Sequence, residues 1–234
     1  MKGKIYLIPT LLGDESPINI ISGYNIQIIK SLQYFIVEEE RTARRFLKKI
    51  IPEINIDTLQ FFILNEHTPS KDIVHYLEPT SRHSVGLLSE AGLPCIADPG
   101  STIVAMAHKQ GIEVVPLAGP SSILLGLMSS GLNGQIFAFN GYLPIKKNER
   151  IKMIKFLEKR SATENQTQIF MEAPYRNQQL LEDIINSCNP DTLMCIACDL
   201  TLLSQYIETK PIREWKIKMP DIHKRPAIFI IKQN

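Results

Sequence analysis

No stretch of this 234-residue chain approaches the roughly 18 consecutive apolar residues that a membrane-spanning helix needs. The opening "MKGKIYLIPTLLGD" has two lysines and a short apolar run, but no clear small-residue cleavage site follows, so it reads as a first strand and the expected address is the cytoplasm. A surplus of one charge is missing too: 26 basic residues face 24 acidic ones, a balance that does not by itself announce a nucleic acid. Cysteine is scarce. Cys95, Cys188, Cys195 and Cys198 are too few for a disulfide framework. The "CIAC" spacing lies in the apolar run "TLMCIAC" with no second pair and no nearby histidine, and in a strand its thiols face opposite ways. A structural zinc needs four ligands, so no metal site is expected. Neither G-x-G-x-x-G nor G-x-x-x-x-G-K-[ST] occurs, which removes the common glycine-rich nucleotide signatures.

What the chain does contain is an ordinary globular share of apolar residues, 44%, arranged in alternating short runs and helical patterns. "KIYLIP", "YFIVE", "TLQFFIL", "HSVGLLS" and "IEVVPLA" read as strands. Between them "NIQIIKSLQ", "RTARRFLKKII", "KDIVHYLEPTSR" and "STIVAMAHKQG" read as helices, the third stopping near Pro79 and the last capped by Gly111. Such alternation predicts a mostly parallel sheet with helices on both faces. After "LAGPSS" the pattern repeats: helices at "SILLGLMSSG", "KKNERIKMIKFLEKR" and "YRNQQLLEDIINSC", strands at "QIFAFNGYLP", "QTQIFMEAP", "TLMCIACDL" and "RPAIFII". The expectation is an α/β protein of two domains, 1–117 and 118–234.

The segment "SEAGLPCIADPGSTI" holds three turn signals, with acids at Glu90 and Asp98. Gly92 and Gly100 would let a ligand approach the backbone. "LIPTLLGD", "PLAGPSS" and "FMEAPYR" are further dense turns after apolar runs, and strand ends are where open α/β sheets bind small molecules.

In order along the chain, "SEAGLPCIADPG", "PLAGPSSILLGLMSSGL", "FNGYLPIKKNER" and "FMEAPYR" closely resemble the tetrapyrrole methylase superfamily. The nearest branch resembled is the bacterial 16S ribosomal RNA cytidine-2'-O-ribose methyltransferases. That resemblance implies two α/β domains, S-adenosylmethionine in the cleft between them, and a homodimer. It assigns the cofactor to Pro9, to the strand-end loop Glu90, Ala91 and Gly92, to Ile96, to the pair Ser121 and Ser122, to Met171 and to Ala197. It also implies ribosomal RNA or the small ribosomal subunit as partner. A tetrapyrrole or other small molecule, and a non-catalytic cofactor- or RNA-binding role, are the alternatives.

Several positions depart from the family pattern. Gly13-Asp14 stands for a Gly-Asn turn, and Glu38, Glu39, Glu40 and Arg41 stand for an acid–acid–Thr–Arg element. Asn65, Glu66 and His67 lack its first histidine, and "CDLTL" stands for Arg-Glu-Leu-Thr-Lys. A ribose hydroxyl must lose a proton as it is methylated, which calls for a base within hydrogen-bond reach. Glu38, Glu66 and His67 are the catalytic candidates, each at or just after an early strand end. Basic runs at 41–49 and 146–160 are the candidate phosphate-docking helices, with Lys147, Arg150 and Lys155 expected on the exposed face of the second. The one tryptophan, Trp215, is expected in the core or an interface.

Overall fold

The computed structural model describes residues 2–233. The chain divides into two compact units, Met1–Ser121 and Ser122–Asn234.

The first unit alternates strand and helix throughout. Its elements are β1 (Ile5–Ile8), α1 (Gly23–Lys30), β2 (Tyr34–Val37), α2 (Glu40–Ile50), β3 (Gln60–Ile63), α3 (Ser70–Ile73), β4 (Val85–Leu88), α4 (Ser101–Lys109) and β5 (Val114–Pro116). A 3-10 stretch, Val74–Ser81, continues α3 and contains Pro79. The strand order is β3-β2-β4-β1-β5, every pair parallel. Short apolar runs such as "VGLL", buried at every position of β4, are what a sheet covered on both faces requires.

Strand order and right-handed crossovers then decide which helix covers which face. The connections out of β1 and β2 run toward the β3 edge, and those out of β3 and β4 run back toward β5. The side chains agree. Phe35 and Leu88 share a buried cluster with Ile29 of α1 and with Ala43 and Leu47 of α2. Ile36 and Leu87 pack in a second cluster with Ile73 of α3 and with Ile103 and Ala107 of α4. The adjacent strands β1 and β4 therefore send their connections to opposite faces, and the loops leaving their carboxyl ends must part there.

The second unit is built differently. Its elements are α5 (Ser122–Ser130), β6 (Phe137–Tyr142), α6 (Lys147–Thr163), β7 (Thr167–Met171), α7 (Asn177–Ser187), β8 (Leu193–Cys198), β9 (Tyr206–Pro211), α8 (Ile212–Trp215) and β10 (Ala227–Lys232). In the order β6-β7-β10-β8-β9, β6 and β7 are parallel and the other three pairs are antiparallel. Two elements escape the sequence reading, β9 and the short α8. β9, "YIETKP", is half-buried at each position because it is the sheet edge, so it shows no apolar run. Trp215 on α8 is fully buried and donates its indole N–H to the carbonyl oxygens of Met194 (3.1 Å) and Lys210 (3.2 Å). The four cysteines are free thiols. Cys198 lies in the cluster that packs α6 and α7 on the sheet, while Cys195 lies outside it, as two residues of opposite parity in one strand must.

Helix α6 corrects one expectation. Its buried face is Arg150, Ile154, Leu157, Glu158 and Ser161. Arg150 is thus not a surface cation. Its Nε and Nη2 donate to Oδ2 of Asp183 at 2.8 and 2.5 Å, and its Nη1 donates to the Ile145 carbonyl at 2.7 Å. The physical reason lies in helical spacing: 150, 154 and 157 fall on one stripe, so the guanidinium is carried inward and held by a buried carboxylate on α7.

Among the described residues no helix is long and apolar enough to cross a membrane.

Candidate functional site at the strand ends of the first unit

The loops leaving β1 and β4 are tied together where they part. The Thr10 amide donates to the Gly92 carbonyl at 2.8 Å. Gly92 has φ +77°, and a Cβ there would sit 3.1 Å from Leu12 Cδ2 and 3.3 Å from the Pro120 carbonyl oxygen. Glycine is favoured at this position both by the backbone and by the closeness of the neighbouring loops. Pro9 is buried, and a Cβ on Gly119 would fall 2.2 Å from its ring. Asn25 of α1, buried, donates to the Ala118 carbonyl and so fixes the loop that leads to Ser121. Pro9, Glu90, Ala91, Gly92 and Ser121 thus belong to loops at one end of the parallel sheet.

The β4 loop is held from within by Asp98. Its carboxylate accepts from the amides of Cys95 (2.9 Å) and Gly100 (2.7 Å). Between these anchors Cys95 (φ 68°) and Ala97 (φ 64°) adopt the left-handed conformation that side chains disfavour, with Ile96 exposed between them. Strain of this kind persists where the surroundings over-determine it, and it clusters at functional loops. Burial raises the Asp98 carboxyl above its ordinary range, against the lowering effect of its two backbone donors.

Glu38 stands at the exit of β2 and is half-buried. Its carboxyl is raised above the usual glutamate range, first by burial, then by the negative charge of Asp98, with Glu90 adding to it and the Glu90 amide opposing. Glu90 itself is exposed and accepts from the Thr42 hydroxyl at 2.7 Å. The structure does not bring Glu66 and His67 to this place. They lie past β3, the outermost strand, exposed and 3.5 Å from one another.

A pocket of about 280 Å³ opens beside the β1 exit. Thr10–Asp14 form one wall, Ser89–Ala91 the second, and Thr42, Ala43, Arg45, Phe46 and Lys49 of α2 the third. Thr10 is a candidate-site residue, on the wall of this pocket, that sequence reasoning missed. Its one signal is a hydroxyl placed directly after the first-strand proline, in "LIPTLLGD".

In the second unit, Met171 ends β7 and pairs with Tyr142 and Ile228. Ala197, 1% exposed, lies in β8 beneath Gly126 of α5, where an added Cβ would come within 3.4 Å of its methyl group. Ser122 opens α5. The "CDLT" segment after β8 is also strained, with φ +50° at Asp199 and +73° at Thr201. Asp199 is held by the Ser204 hydroxyl and Arg225 Nε, each at 2.8 Å.

A doubly wound parallel unit with constrained, acid-bearing loops at its switch point, followed by a mixed-sheet unit, defines a two-unit α/β protein whose candidate site is the carboxyl end of the first sheet. Comparison with known proteins narrows that class. The family model described as Tetrapyrrole (Corrin/Porphyrin) Methylases matches residues 4–216, and the chain belongs to that family. It is a methyltransferase, and its methyl donor is S-adenosylmethionine. The relative named Ribosomal RNA small subunit methyltransferase I from Vibrio cholerae serotype O1 is 30% identical over 210 residues, covering 90% of this chain and 69% of the relative. The protein of the same name from Thermotoga maritima is 31% identical over 203 residues, covering 87% and 86%. Among solved structures, the methyltransferase CobJ superposes with a TM-score of 0.64 at 15% identity, covering 99% of this chain and 94% of that one. The cobalt precorrin-4 methyltransferase CbiF gives 0.61 at 11%, covering 98% and 94%. These two likenesses establish the fold.

The residues present fit the donor. The Glu90–Gly92 turn offers backbone rather than bulk, a Cβ at 92 would crowd Leu12 and Pro120 at a left-handed φ, and the strained loop at 95–97 exposes an apolar side chain beside its peptide groups.

Proposed function

We propose that the chain methylates a ribose 2'-hydroxyl of small-subunit ribosomal RNA, with Glu38 as general base. The observation that carries the reading is the half-buried Glu38 carboxylate, raised in pKa at the switch-point edge, in a chain whose relatives are named for ribosomal RNA. S-adenosylmethionine supplies an electrophilic methyl group on a sulfonium. In the first unit Pro9, Glu90, Ala91, Gly92, Ile96 and Ser121 bind it, chiefly through backbone. Ser122, Met171 and Ala197 are the second unit's candidates for the same ligand, each testable by its own substitution.

Glu38 accepts the hydroxyl proton as the ribose oxygen bonds to the methyl carbon. A raised pKa suits that task, because a base is most effective when its pKa lies near the working pH. Positioning supplies much of the remaining acceleration, since the transfer needs the two reactants in line and little else. Glu66 and His67, exposed and paired with each other, are the weaker candidates for base. We further read the chain as a cytoplasmic homodimer, for which Met128, 77% exposed on the apolar helix α5, is a candidate contact. Sedimentation at micromolar concentration should give twice the monomer mass, and a clean monomer counts against it.

The deciding experiment incubates the full chain with labelled S-adenosylmethionine and, in turn, small ribosomal subunits, total RNA and tetrapyrroles. Label should enter small-subunit RNA at a nucleotide that then resists alkaline cleavage, because the blocked hydroxyl can no longer attack its phosphate. Label in a tetrapyrrole alone overturns the reading. Gly92→Val should lower donor affinity by more than about tenfold, since the wild-type φ and the two close contacts admit no β-branched residue. Calorimetry that finds equal affinity removes that loop from the donor site.

A further inference from the structure

Thr10, on the wall of the pocket beside the β1 exit, carries a hydroxyl that nothing among the described residues satisfies. Thr10 is 4% exposed, and its hydroxyl has no hydrogen-bond partner. Every other polar group around it is engaged or faces solvent. Ser89 Oγ donates to the Gly92 carbonyl at 3.3 Å, Thr42 Oγ1 to Glu90, and Lys49 Nζ to the Asp14 carbonyl. A buried hydroxyl left unpaired costs stability, and one on a residue that lines an open pocket is satisfied by a water or a ligand group that enters there.

The rest of the lining states which ligand. Arg41, Arg45 and Lys49 follow one another at i, i+4 and i+8 along α2, a row of cations on one side of that helix. Arg41 and Arg45 are exposed and form no ion pair among the described residues, whereas Arg44 between them is paired with Glu40 and Asp57. Arg45 and Lys49 line the pocket, and so does Phe46. A ligand that brings a hydroxyl to Thr10 and an anion to Arg45 matches this lining. The cationic row continues to Arg41, past the pocket, which suits a repeating anion rather than a single one. About 280 Å³ admits a sugar and its phosphate but not a four-ring macrocycle.

We propose that this pocket holds one sugar–phosphate unit of the RNA strand, with a sugar hydroxyl on Thr10 Oγ1 and the phosphate on Arg45. The inference rests on the ribosomal RNA reading above and gives the strand a path along α2. Asp14 and Glu90, also on the walls, do not contradict an anionic ligand. Asp14 faces solvent with its carbonyl taken by Lys49, and Glu90 is exposed, with one carboxylate oxygen turned to the Thr42 hydroxyl.

The test measures binding of a fluorescent single-stranded ribosomal RNA fragment to the full chain at several salt concentrations, with calorimetry of S-adenosylmethionine alongside. Arg45→Gln should weaken RNA binding and flatten the plot of log affinity against log salt by roughly 0.7, the share of one phosphate on a single strand. Thr10→Val, the same shape without the hydroxyl, should weaken binding about five- to tenfold and leave the slope alone. Thr10→Ser should restore it, which a merely structural role for the threonine would not predict. Donor affinity should stay within about twofold in all three. Wild-type RNA binding in both Arg45→Gln and Thr10→Val overturns the pocket assignment and leaves the RNA reading standing. Loss of donor affinity in step with RNA affinity reassigns the pocket to the carboxylate end of the donor. An unmutated protein that binds no RNA overturns both proposals together.

Discussion

Helices α2 and α6 are both dense in lysine and arginine, and they differ in what lies beneath them. Beside α2 is a strand-end pocket, and two of its arginines reach solvent with no ion pair among the described residues. Under α6 is a packed sheet. Its Arg150 is buried against Asp183, its Glu158 is buried and accepts from the Asn189 amide (2.7 Å) and the Thr192 hydroxyl (2.5 Å), and Lys146, Lys147 and Arg160 each have an acidic neighbour. The same composition serves assembly of the fold in one helix and an outward-facing edge in the other. Charge in a sequence therefore says little about partners until the burial of each residue is known.

The contrast can be broken at four points. The largest expected effect is on the first unit's edge: Glu38→Gln should cut kcat by about 10²–10⁴-fold while the fold and donor affinity persist. Single-turnover assays on small subunits check it, and an unchanged rate excludes Glu38 as base. The second effect is on the other unit's interior. Arg150→Gln leaves the Asp183 carboxylate buried with only Lys147 at 3.7 Å, and should cost about 3–5 kcal/mol in urea unfolding. Donor affinity per folded molecule should not change, and a loss under about 1 kcal/mol would show the pair to be solvated.

Acidity offers a third, smaller effect. Glu38 binds its proton more tightly in the folded protein than in the unfolded chain, so the unfolded state holds fewer protons as pH rises through that range. Its ionisation then costs stability, fully absent below the ordinary glutamate pKa of about 4.3 and fully present above the raised folded value. Glu38→Gln should remove that penalty, so the stability of the variant relative to the wild type should be greater at pH 7 than at pH 4 in urea unfolding. Activity runs the other way, its acid limb lying above pH 4.3 because only the carboxylate accepts a proton. The smallest effect belongs to the exposed side of α6. Changing Lys152, Lys155 and Lys159 together to glutamine should alter stability by no more than about 0.5 kcal/mol per site and leave the RNA salt slope unchanged. A slope that falls as it does for Arg45→Gln would restore α6 as a docking face.

Much of the first unit was legible because buried parallel strands are written as short apolar runs and every helix between them has its own period. Pro9, Gly92 and the acids of "SEAGLPCIADPG" could be picked out from turn grammar together with resemblance. The edge strand β9 could not, because a half-buried strand mixes β-branched residues with charges and shows no apolar run. Arg150 was misread from its charge, although its spacing from Ile154 and Leu157 placed it on the buried stripe. The unpartnered Thr10 hydroxyl could not be anticipated at all. Whether a threonine is satisfied depends on which loops from distant strands surround it, and the Thr10–Gly92 hydrogen bond joins segments far apart in the chain.

The pairing of β1 also bears on the order in which the chain is made. Ile5 stands between Val85 and Val114, so β1 has no neighbour until most of its unit has left the ribosome. By contrast Cys198 pairs with Tyr206 a few residues on, and β9 can form as soon as it emerges. Long-range parallel pairing is slow because the loop must close before any contact rewards it. The apolar segment Ile5–Ile8 is therefore the part of the nascent chain left longest without cover. A ribosome paused before Val114 would present it to chaperones with one side of the strand still open.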